Sequence, residues 1–246
     1  MELIDTSIFL LLVMIGAYVQ TITGFAMGLL IVGGVTILNI APIAFTAAVV
    51  SILSLLNAVL VLRYSIKFIN WKTVGFISLG MMPSLVAGVL ILDMLSESEY
   101  VLLRRILGFV IISAGILLTL KPEPWKKTSS GLSASLTGIA GGIIGGLFST
   151  GGAPLAFFMY RQPIDLNYIR ATLLAVFAIT TLSRTVIVAI EGGLTQEILT
   201  TSAIAIPLVM ITTFFARKIS PPSADATIRK SVFILLILIG ASLILG

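Results

Sequence analysis

The chain has 246 residues, of which 58% are hydrophobic and only 10% are charged, and its mean hydropathy is +1.18. Soluble domains do not have this composition, so the chain is predicted to be an all-α polytopic membrane protein in contact with the lipid bilayer. It contains neither cysteine nor histidine. This excludes disulfides, thiol catalysis and the commonest general base and metal ligand, so we expect no enzyme activity, no cofactor and no metal.

The first apolar region, Ile8–Leu38, is 31 residues long and is interrupted at Gln20-Thr21-Ile22-Thr23-Gly24. It is too long for one membrane span and too short for two, so it is predicted to form a re-entrant or broken helical hairpin. Three transmembrane helices are predicted to follow, at Pro42–Leu62, Thr73–Leu92 and Ile106–Leu120. Together these elements form a first repeat, residues 1–120.

Residues 121–130 form a predicted cytoplasmic linker that contains prolines and lysines. The second broken region, Leu132–Tyr160, is 29 residues long and is interrupted at Ser149-Thr150-Gly151-Gly152. Three further transmembrane helices are predicted at Ile169–Ile190, Ile198–Ala216 and Ser231–Leu245. Residues 131–246 therefore repeat the order of the first half, and the two halves form one integral membrane domain.

The second interruption is predicted to lie inside the membrane. Only Ala153 to Tyr160 separates it from Arg161, a helical length of about 12 Å, whereas the hydrocarbon core is about 30 Å thick. Irregular backbone at that depth is tolerated only where it is buried in protein or lines an aqueous cavity.

The distribution of charge supports the hairpins. If each broken region returns to its own side, twelve basic residues share one face, and seven of the ten acidic residues lie opposite with Arg104 and Arg105. If each region crossed once, the basic residues would divide about six against eight. The positive-inside rule favours the hairpins, with both termini outside and the basic loops cytoplasmic. The twelve residues are Arg63, Lys67, Lys72, Lys121, Lys126, Lys127, Arg161, Arg170, Arg217, Lys218, Arg229 and Lys230. The net charge of +5 then reflects topology, and no nucleic-acid partner is expected.

The two halves also match in sequence. Thr23-Gly24-Phe25-Ala26 recurs 127 residues later as Thr150-Gly151-Gly152-Ala153. Matches in the same order include Ala48 with Ala175, Leu55 with Leu182 and, after a short deletion, Pro83 with Pro207, Arg104 with Arg229 and Gly115 with Gly240. Because the first copy begins outside and the second inside, the repeats are predicted to have inverted topology.

The two interruptions are predicted to form an anion site. Pro154 suits the first turn of a helix, which leaves the N–H groups of Thr150 to Ala153 free at a helix N-terminus, where the backbone dipoles favour an anion. The first interruption offers similar donors. Gly141, Gly142, Gly145 and Gly146 are instead interpreted as packing residues.

Arg184 is the charged residue well inside a predicted span, and its counterpart in the first repeat is Asn57. An intramembrane arginine is by default a functional candidate, although Arg184 could also snorkel to the interface or pair with Glu191. Polar residues at two equivalent positions predict one shared cavity.

The two glycine-rich motifs, Val19 to Gly28 and Gly145 to Pro154, and the polar alanine-rich helix after each resemble the TauE/SafE sulfite exporters, also called TSUP permeases. The likeness covers essentially the whole chain. It implies an inner-membrane carrier of a small anionic substrate, namely sulfite, sulfoacetate, thiosulfate or a related organosulfur anion. In the first motif Phe25 stands where a further glycine is common.

Both arguments predict a secondary transporter, an exporter that works by alternating access at a midplane site. The predicted substrate-binding residues are Gln20, Thr23, Gly24, Asn57, Ser149, Thr150, Gly151, Gly152 and Arg184. Proton coupling, coupling through the ionisation of the substrate or through the membrane potential, and uniport are left open, as is the oligomeric state. An anion channel and a non-transporting membrane subunit are the alternatives.

Overall fold

A computed structural model describes residues 3–119, 124–219 and 224–245, and the regular secondary structure within these residues is helical with no strand. The prediction of an all-α polytopic membrane protein is confirmed, since seven of the described helices are long and apolar enough to cross a membrane. The helices are α1 (Leu3–Thr23), α2 (Met27–Ile37), α3 (Ile43–Ser65), α4 (Trp71–Ser98), α5 (Tyr100–Thr119), α6 (Gly131–Phe148), α7 (Gly152–Tyr160), α8 (Leu166–Ile190), α9 (Gln196–Ile219) and α10 (Ala224–Leu245).

Several predicted boundaries are wrong because the prediction ended helices at charged residues. Helix α5 begins at Tyr100 rather than Ile106, α10 at Ala224 rather than Ser231, and α4 continues to Ser98 rather than Leu92. Arg104 and Arg105 lie in the second turn of α5, where long side chains can reach polar surroundings without ending the helix.

The first interruption is shorter than predicted. Helix α1 continues through Thr23, so the break comprises only Gly24, Phe25 and Ala26. Gly24 and Ala26 have φ values of 84° and 80°, in the left-handed region that ends a right-handed helix. Gln20 to Thr23 therefore do not offer the free backbone donors that the sequence suggested.

Both broken regions are antiparallel hairpins. In hairpin 1 (α1 and α2), a Cβ on Gly16 would lie 3.0 Å from Ile31 Cγ1, and one on Gly34 would lie 3.0 Å from Leu12 Cδ2. In hairpin 2 (α6 and α7), Gly141 faces Leu155 in the same manner. Each short helix therefore folds back along its longer partner. We call residues 24–26 tip 1 and residues 149–151 tip 2.

Helices α4 and α6 pack with their backbones in close contact. A Cβ on Gly138 would overlap Ile77 O, and one on Gly146 would overlap Leu85 O. Small residues permit this approach, as they do between membrane helices generally. Because the contact positions advance together along both chains, the two helices run parallel and begin at the same end of the molecule.

Helices α5 and α10 meet in a reciprocal way. Gly115 packs on Phe233 and Ile237, while Gly240 packs on Gly108 and Ile112. Gly115 and Gly240 are matched in sequence. Gly115 contacts the residues three and seven positions before Gly240, and Gly240 contacts the residues three and seven positions before Gly115. This reciprocal pattern is the one that a local two-fold axis between α5 and α10 requires. The inverted relation of the complete halves, residues 1–120 and 131–246, stays a prediction.

The loops rich in lysine and arginine lie together at one end, which we call the basic end (residues 64–70, 124–130, 161–168 and the last turn of α9). The Arg217 guanidinium carbon lies 3.4 Å from the Tyr64 ring centre, and the Trp125 N–H donates to Arg161 O at 2.7 Å. Lys121 and the side chains of Arg229 and Lys230 lie outside the described residues. Which side of the membrane the basic end faces stays a prediction.

Candidate functional site

The two hairpin tips meet in the interior of the helical bundle. A Cβ on Gly28, at the start of α2, would lie 2.6 Å from Ser149 O and 2.7 Å from Thr150 Cγ2. In the opposite direction, a Cβ on Gly152 would lie 3.4 Å from Phe25 Cβ. Glycine at these two positions therefore lets the beginning of each short helix lie against the other hairpin.

A cavity of about 20 Å³ lies between the tips, which is room for about one water molecule. Its wall combines hydroxyl, amide and aromatic side chains with exposed backbone of both hairpins. The lining residues are Gln20, Phe25, Ala26, Gly28, Leu29, Ser54, Ser149, Thr150, Gly152, Phe177 and Thr181.

Thr150 carries a polar group that the protein does not satisfy. Its side chain is 4% exposed, and its hydroxyl has no hydrogen-bond partner although it belongs to a cavity-lining residue. Thr150 lies immediately before Gly151, the N-cap of α7, and the first turn of α7 contains Pro154. An unpaired buried hydroxyl beside the positive end of a helix dipole is suited to a negatively charged ligand.

Arg184 points into the protein. It is 1% exposed, and its Nε donates to Gly146 O at 2.9 Å, on the last turns of α6. Its Nη1 donates to Ser51 Oγ at 3.0 Å, and Ser51 Oγ lies 2.9 Å from Ser149 Oγ. The buried guanidinium is therefore linked to tip 2, and it is not directed along α8 towards Glu191.

The cavity side of α1 is held to α3 through Gln20. Its Nε2 donates to Ser54 O at 3.3 Å, and Ser54 Oγ lies 3.5 Å from Gln20 Oε1. Gln20 and Ser54 both line the cavity, so hairpin 1 also contributes amide and hydroxyl groups.

Comparisons with known proteins identify the family. Residues 8–243 match the family model described as sulfite exporter TauE/SafE. The chain belongs to the TauE/SafE sulfite exporter family. A relative in Cupriavidus necator, named as a probable sulfite/organosulfonate exporter TauE, is 40% identical over 230 residues, which cover 94% of this chain and 90% of that protein. No solved structure matches the chain significantly. This TauE/SafE protein is thus a multi-pass membrane protein of an exporter family.

In this TauE/SafE protein, four of the nine predicted binding residues line the cavity: Gln20, Ser149, Thr150 and Gly152. Thr23, Gly24 and Gly151 shape the tips instead. The Thr23 hydroxyl lies 2.8 Å from both Val19 O and Phe25 O, which keeps it within its own hairpin. Gly151 packs on the backbone of Gly141.

Asn57 and Arg184 do not meet in the shared cavity that was predicted. Asn57 Nδ2 donates to Thr21 Oγ1 at 2.9 Å and to Thr213 Oγ1 at 2.7 Å, so it joins α3 to α1 and α9. Arg184 joins α8 to α6 and α3. Asn57 therefore bonds α1 of hairpin 1, and Arg184 bonds α6 of hairpin 2. Neither residue contributes to the cavity wall.

Sequence reasoning missed four residues near the tips: Ser51, Ser54, Phe177 and Thr181. A usable signal was the three-residue spacing between Ser51 and Ser54, and between Thr181 and Arg184, because residues three apart share a helix face. That signal becomes specific only once it is known which face of α3 and α8 turns towards the tips.

Tip 1 is braced from the basic end by aromatic residues. The Tyr160 hydroxyl donates to Thr23 O at 3.0 Å. The Phe25 ring lies 6.4 Å from the Tyr160 ring and 6.3 Å from the Phe233 ring, measured between centroids. Tip 1 is therefore anchored to the last residue of α7 and to α10.

A larger cleft of about 610 Å³ opens at the basic end, away from the tips. It is broadly open and contains the carboxylate of Asp165. The residues that line it are Asn70, Pro124, Gln162, Pro163, Ile164, Asp165 and Tyr168. The smaller cavity is the better candidate for anion binding because it contains the unpaired Thr150 hydroxyl and is linked to Arg184.

Proposed function

We propose that this protein exports sulfite or a related organosulfur anion, such as sulfoacetate or thiosulfate, as a secondary transporter that binds its substrate between the two hairpin tips. The observation that carries the proposal is the buried, unpartnered hydroxyl of Thr150 at the N-terminus of α7. The name of the Cupriavidus necator relative supplies the substrate class.

The proposed binding groups fall into two sets. Thr150, Ser149 and Gln20 offer hydroxyl and amide groups at the cavity wall, beside the positive end of the α7 dipole. The Gly152 N–H, which was expected from the sequence to be free, instead donates to Thr150 O at 2.6 Å. Arg184 does not line the cavity, but its guanidinium bonds the Ser51 hydroxyl and supplies positive charge near tip 2. Charge acts strongly over such distances in a site shielded from water, because the effective dielectric constant is lower there.

The remaining predicted residues have supporting roles in this proposal. Thr23, Gly24 and Gly151 keep the tips in shape for binding, and Asn57 ties hairpin 1 to α3 and α9. The proposed function requires no nucleic acid, metal or cofactor.

Transport requires the tips to separate, because a cavity of about 20 Å³ is smaller than an oxyanion. Tip 1 is braced by Tyr160 from the basic end, whereas tip 2 is bonded through Ser51 to a position on α3 closer to the other end. We propose that the tips release in turn, which gives alternating access between the inverted repeats. Pro83 and Pro207 lie inside α4 and α9 and are the proposed bending points.

The proposed orientation places the basic end in the cytoplasm and both termini outside, in the inner (plasma) membrane. The support is the positive-inside rule applied to residues such as Arg63, Lys126, Arg161 and Arg217, which the fold gathers at one end. Export then begins at the basic end.

The test is uptake of radiolabelled sulfite into proteoliposomes, with sulfate, thiosulfate, sulfoacetate and chloride as competitors. A carrier gives saturable flux that a subset of these anions inhibits. A channel gives large unsaturated conductance, and a non-transporting subunit gives neither. Absence of any anion flux in folded, correctly oriented protein, under both a pH gradient and a membrane potential, would contradict the proposal.

A further inference from the structure

Two aromatic side chains close over the beginning of α7, where the proposed anion would bind. A Cβ on Gly152 would lie 2.8 Å from Phe177 Cζ and 3.4 Å from Phe177 Cε1. Phe25 Cβ, which belongs to hairpin 1, would lie 3.4 Å from the same Cβ on Gly152. The ring of Phe177 and the side chain of Phe25 therefore occupy the space around the helix terminus, next to the cavity that both residues line.

Phe25 is closely packed in this conformation. It is 1% exposed, and its ring packs against Tyr160 and Phe233. The Tyr160 hydroxyl also holds Thr23 O, immediately before the tip. Moving the Phe25 ring aside would disturb this whole aromatic cluster, so a ligand cannot easily gain room on that side.

Phe177 belongs to neither tip. It projects from α8, outside both hairpins, and is 9% exposed. The hydrogen bond that Thr181 makes to this residue goes to the Phe177 backbone carbonyl, so a change of side chain leaves it in place. Phe177 is therefore the better position at which to test the size of the site.

We propose that Phe25 and Phe177 set the upper size limit of the transported anion, so that this protein selects carbon-free sulfite over carbon-bearing sulfonates. The inference rests on the proposed function and names the substrate within its class. The cavity must already widen from about 20 Å³ to admit an oxyanion. Each additional carbon of the substrate must then displace one of the two rings, and close-packed interiors resist such additions.

The experiment measures sulfite and sulfoacetate flux separately in proteoliposomes and uses their ratio. We expect wild type to favour sulfite by at least about tenfold, since pocket size discriminates by roughly 10- to 200-fold per methylene. Phe177→Ala should raise relative sulfoacetate flux by about tenfold, and Phe177→Leu by less. The ratio does not depend on how much of each variant is folded.

Phe158→Ala is the matched control. Phe158 is a buried phenylalanine on α7 whose ring packs on Trp125, at 6.0 Å between centroids, and it does not belong to the cavity wall. Its substitution should leave the flux ratio at the wild-type value. If Phe177→Ala transports neither sulfite nor sulfoacetate, the ratio of sulfoacetate flux to sulfite flux in Phe177→Leu tests the inference.

Two results would overturn the inference while the proposed function stands. One is saturable wild-type flux with equal preference for sulfite and sulfoacetate. The other is saturable sulfite flux with a ratio that neither Phe177 variant changes. Absence of all anion flux in folded wild type would instead overturn the proposed function, and this inference with it.

Discussion

Arg184 is connected to Ser149 through a single hydroxyl group. Its Nη1 lies 3.0 Å from Ser51 Oγ, which lies 2.9 Å from Ser149 Oγ, while its Nε bonds Gly146 O. A buried cation therefore holds hairpin 2 at two points, one on the stem and one at the tip. Burying such a charge is costly without hydrogen-bond partners, so its position depends on these bonds.

Replacing Arg184 should impair transport strongly. We expect Arg184→Gln to lower sulfite flux by roughly 10- to 100-fold, because hydrogen bonds to a charged group contribute about 1.5–3 kcal/mol. Arg184→Lys should recover little, since an ammonium cannot reproduce the two directed bonds of the guanidinium. Arg105→Gln is the control, because Arg105 is exposed. Wild-type flux in Arg184→Gln would exclude a role for this charge.

Substitutions of Thr150 should distinguish an effect on substrate binding from an effect on protein stability. Thr150→Val keeps the shape of the side chain but removes a buried hydroxyl that has no partner. Because such a group costs about 1–3 kcal/mol, the melting temperature of the variant in detergent should equal or exceed that of wild type, while its KM for sulfite rises about tenfold. Thr150→Ser should keep near-normal KM. A fall in stability together with unchanged transport would show that the hydroxyl is structural.

The sequence located the second tip better than the first, and the reason is local. Ser149 to Gly152 are small or hydroxyl-bearing residues. The short helical length between them and Arg161 places them inside the membrane, so a break in the helix was predictable there. At the first tip, Thr21 and Thr23 also suggested a break. Both threonines are instead helical, and their hydroxyls bond the carbonyls four residues earlier, Ala17 O at 2.7 Å and Val19 O at 2.8 Å.

The link between Arg184 and Ser51 could not be predicted in the same way. It depends on how α3 crosses α8, and the long apolar sequences of these helices leave their rotation undetermined. The repeat offset predicted Asn57 as the counterpart of Arg184, but the structure does not bring the two side chains into one cavity. Asn57 bonds Thr21 and Thr213, whereas Arg184 bonds Gly146 and Ser51.

The Tyr160 hydroxyl should restrain tip 1. Removing it in Tyr160→Phe abolishes the bond to Thr23 O while leaving the ring that packs on Phe25. We expect faster labelling of a cysteine at Ser54, in the cavity, by a membrane-impermeant thiol reagent applied at the basic end. The chain has no cysteine of its own, so the label reports one site. Tyr168→Phe, at an exposed tyrosine of the same end, is the control, and equal labelling rates in both variants would contradict the restraint.

Close packing of α4 on α6 should make Gly138 intolerant of any side chain. A Cβ there would overlap the backbone carbonyl of Ile77, which cannot move freely within a helix. Gly138→Ala should therefore destabilise the protein by about 1–3 kcal/mol, measured as a lower melting temperature in detergent. Gly75→Ala, on α4 with open space around it, should be neutral or stabilising by up to about 1 kcal/mol, since alanine favours helix. Equal effects of the two substitutions would contradict the observed packing.

The proposed orientation can be tested with two single-cysteine variants. Lys126→Cys places a thiol in the linker at the basic end, and Glu191→Cys places one at the exposed end of α8, on the opposite side of the molecule. If the basic end is cytoplasmic, an impermeant thiol reagent added to intact cells should label Glu191→Cys and leave Lys126→Cys unlabelled until the membrane is permeabilised. The reverse pattern would invert the orientation, and labelling of both thiols in intact cells would contradict hairpins that return to their own sides.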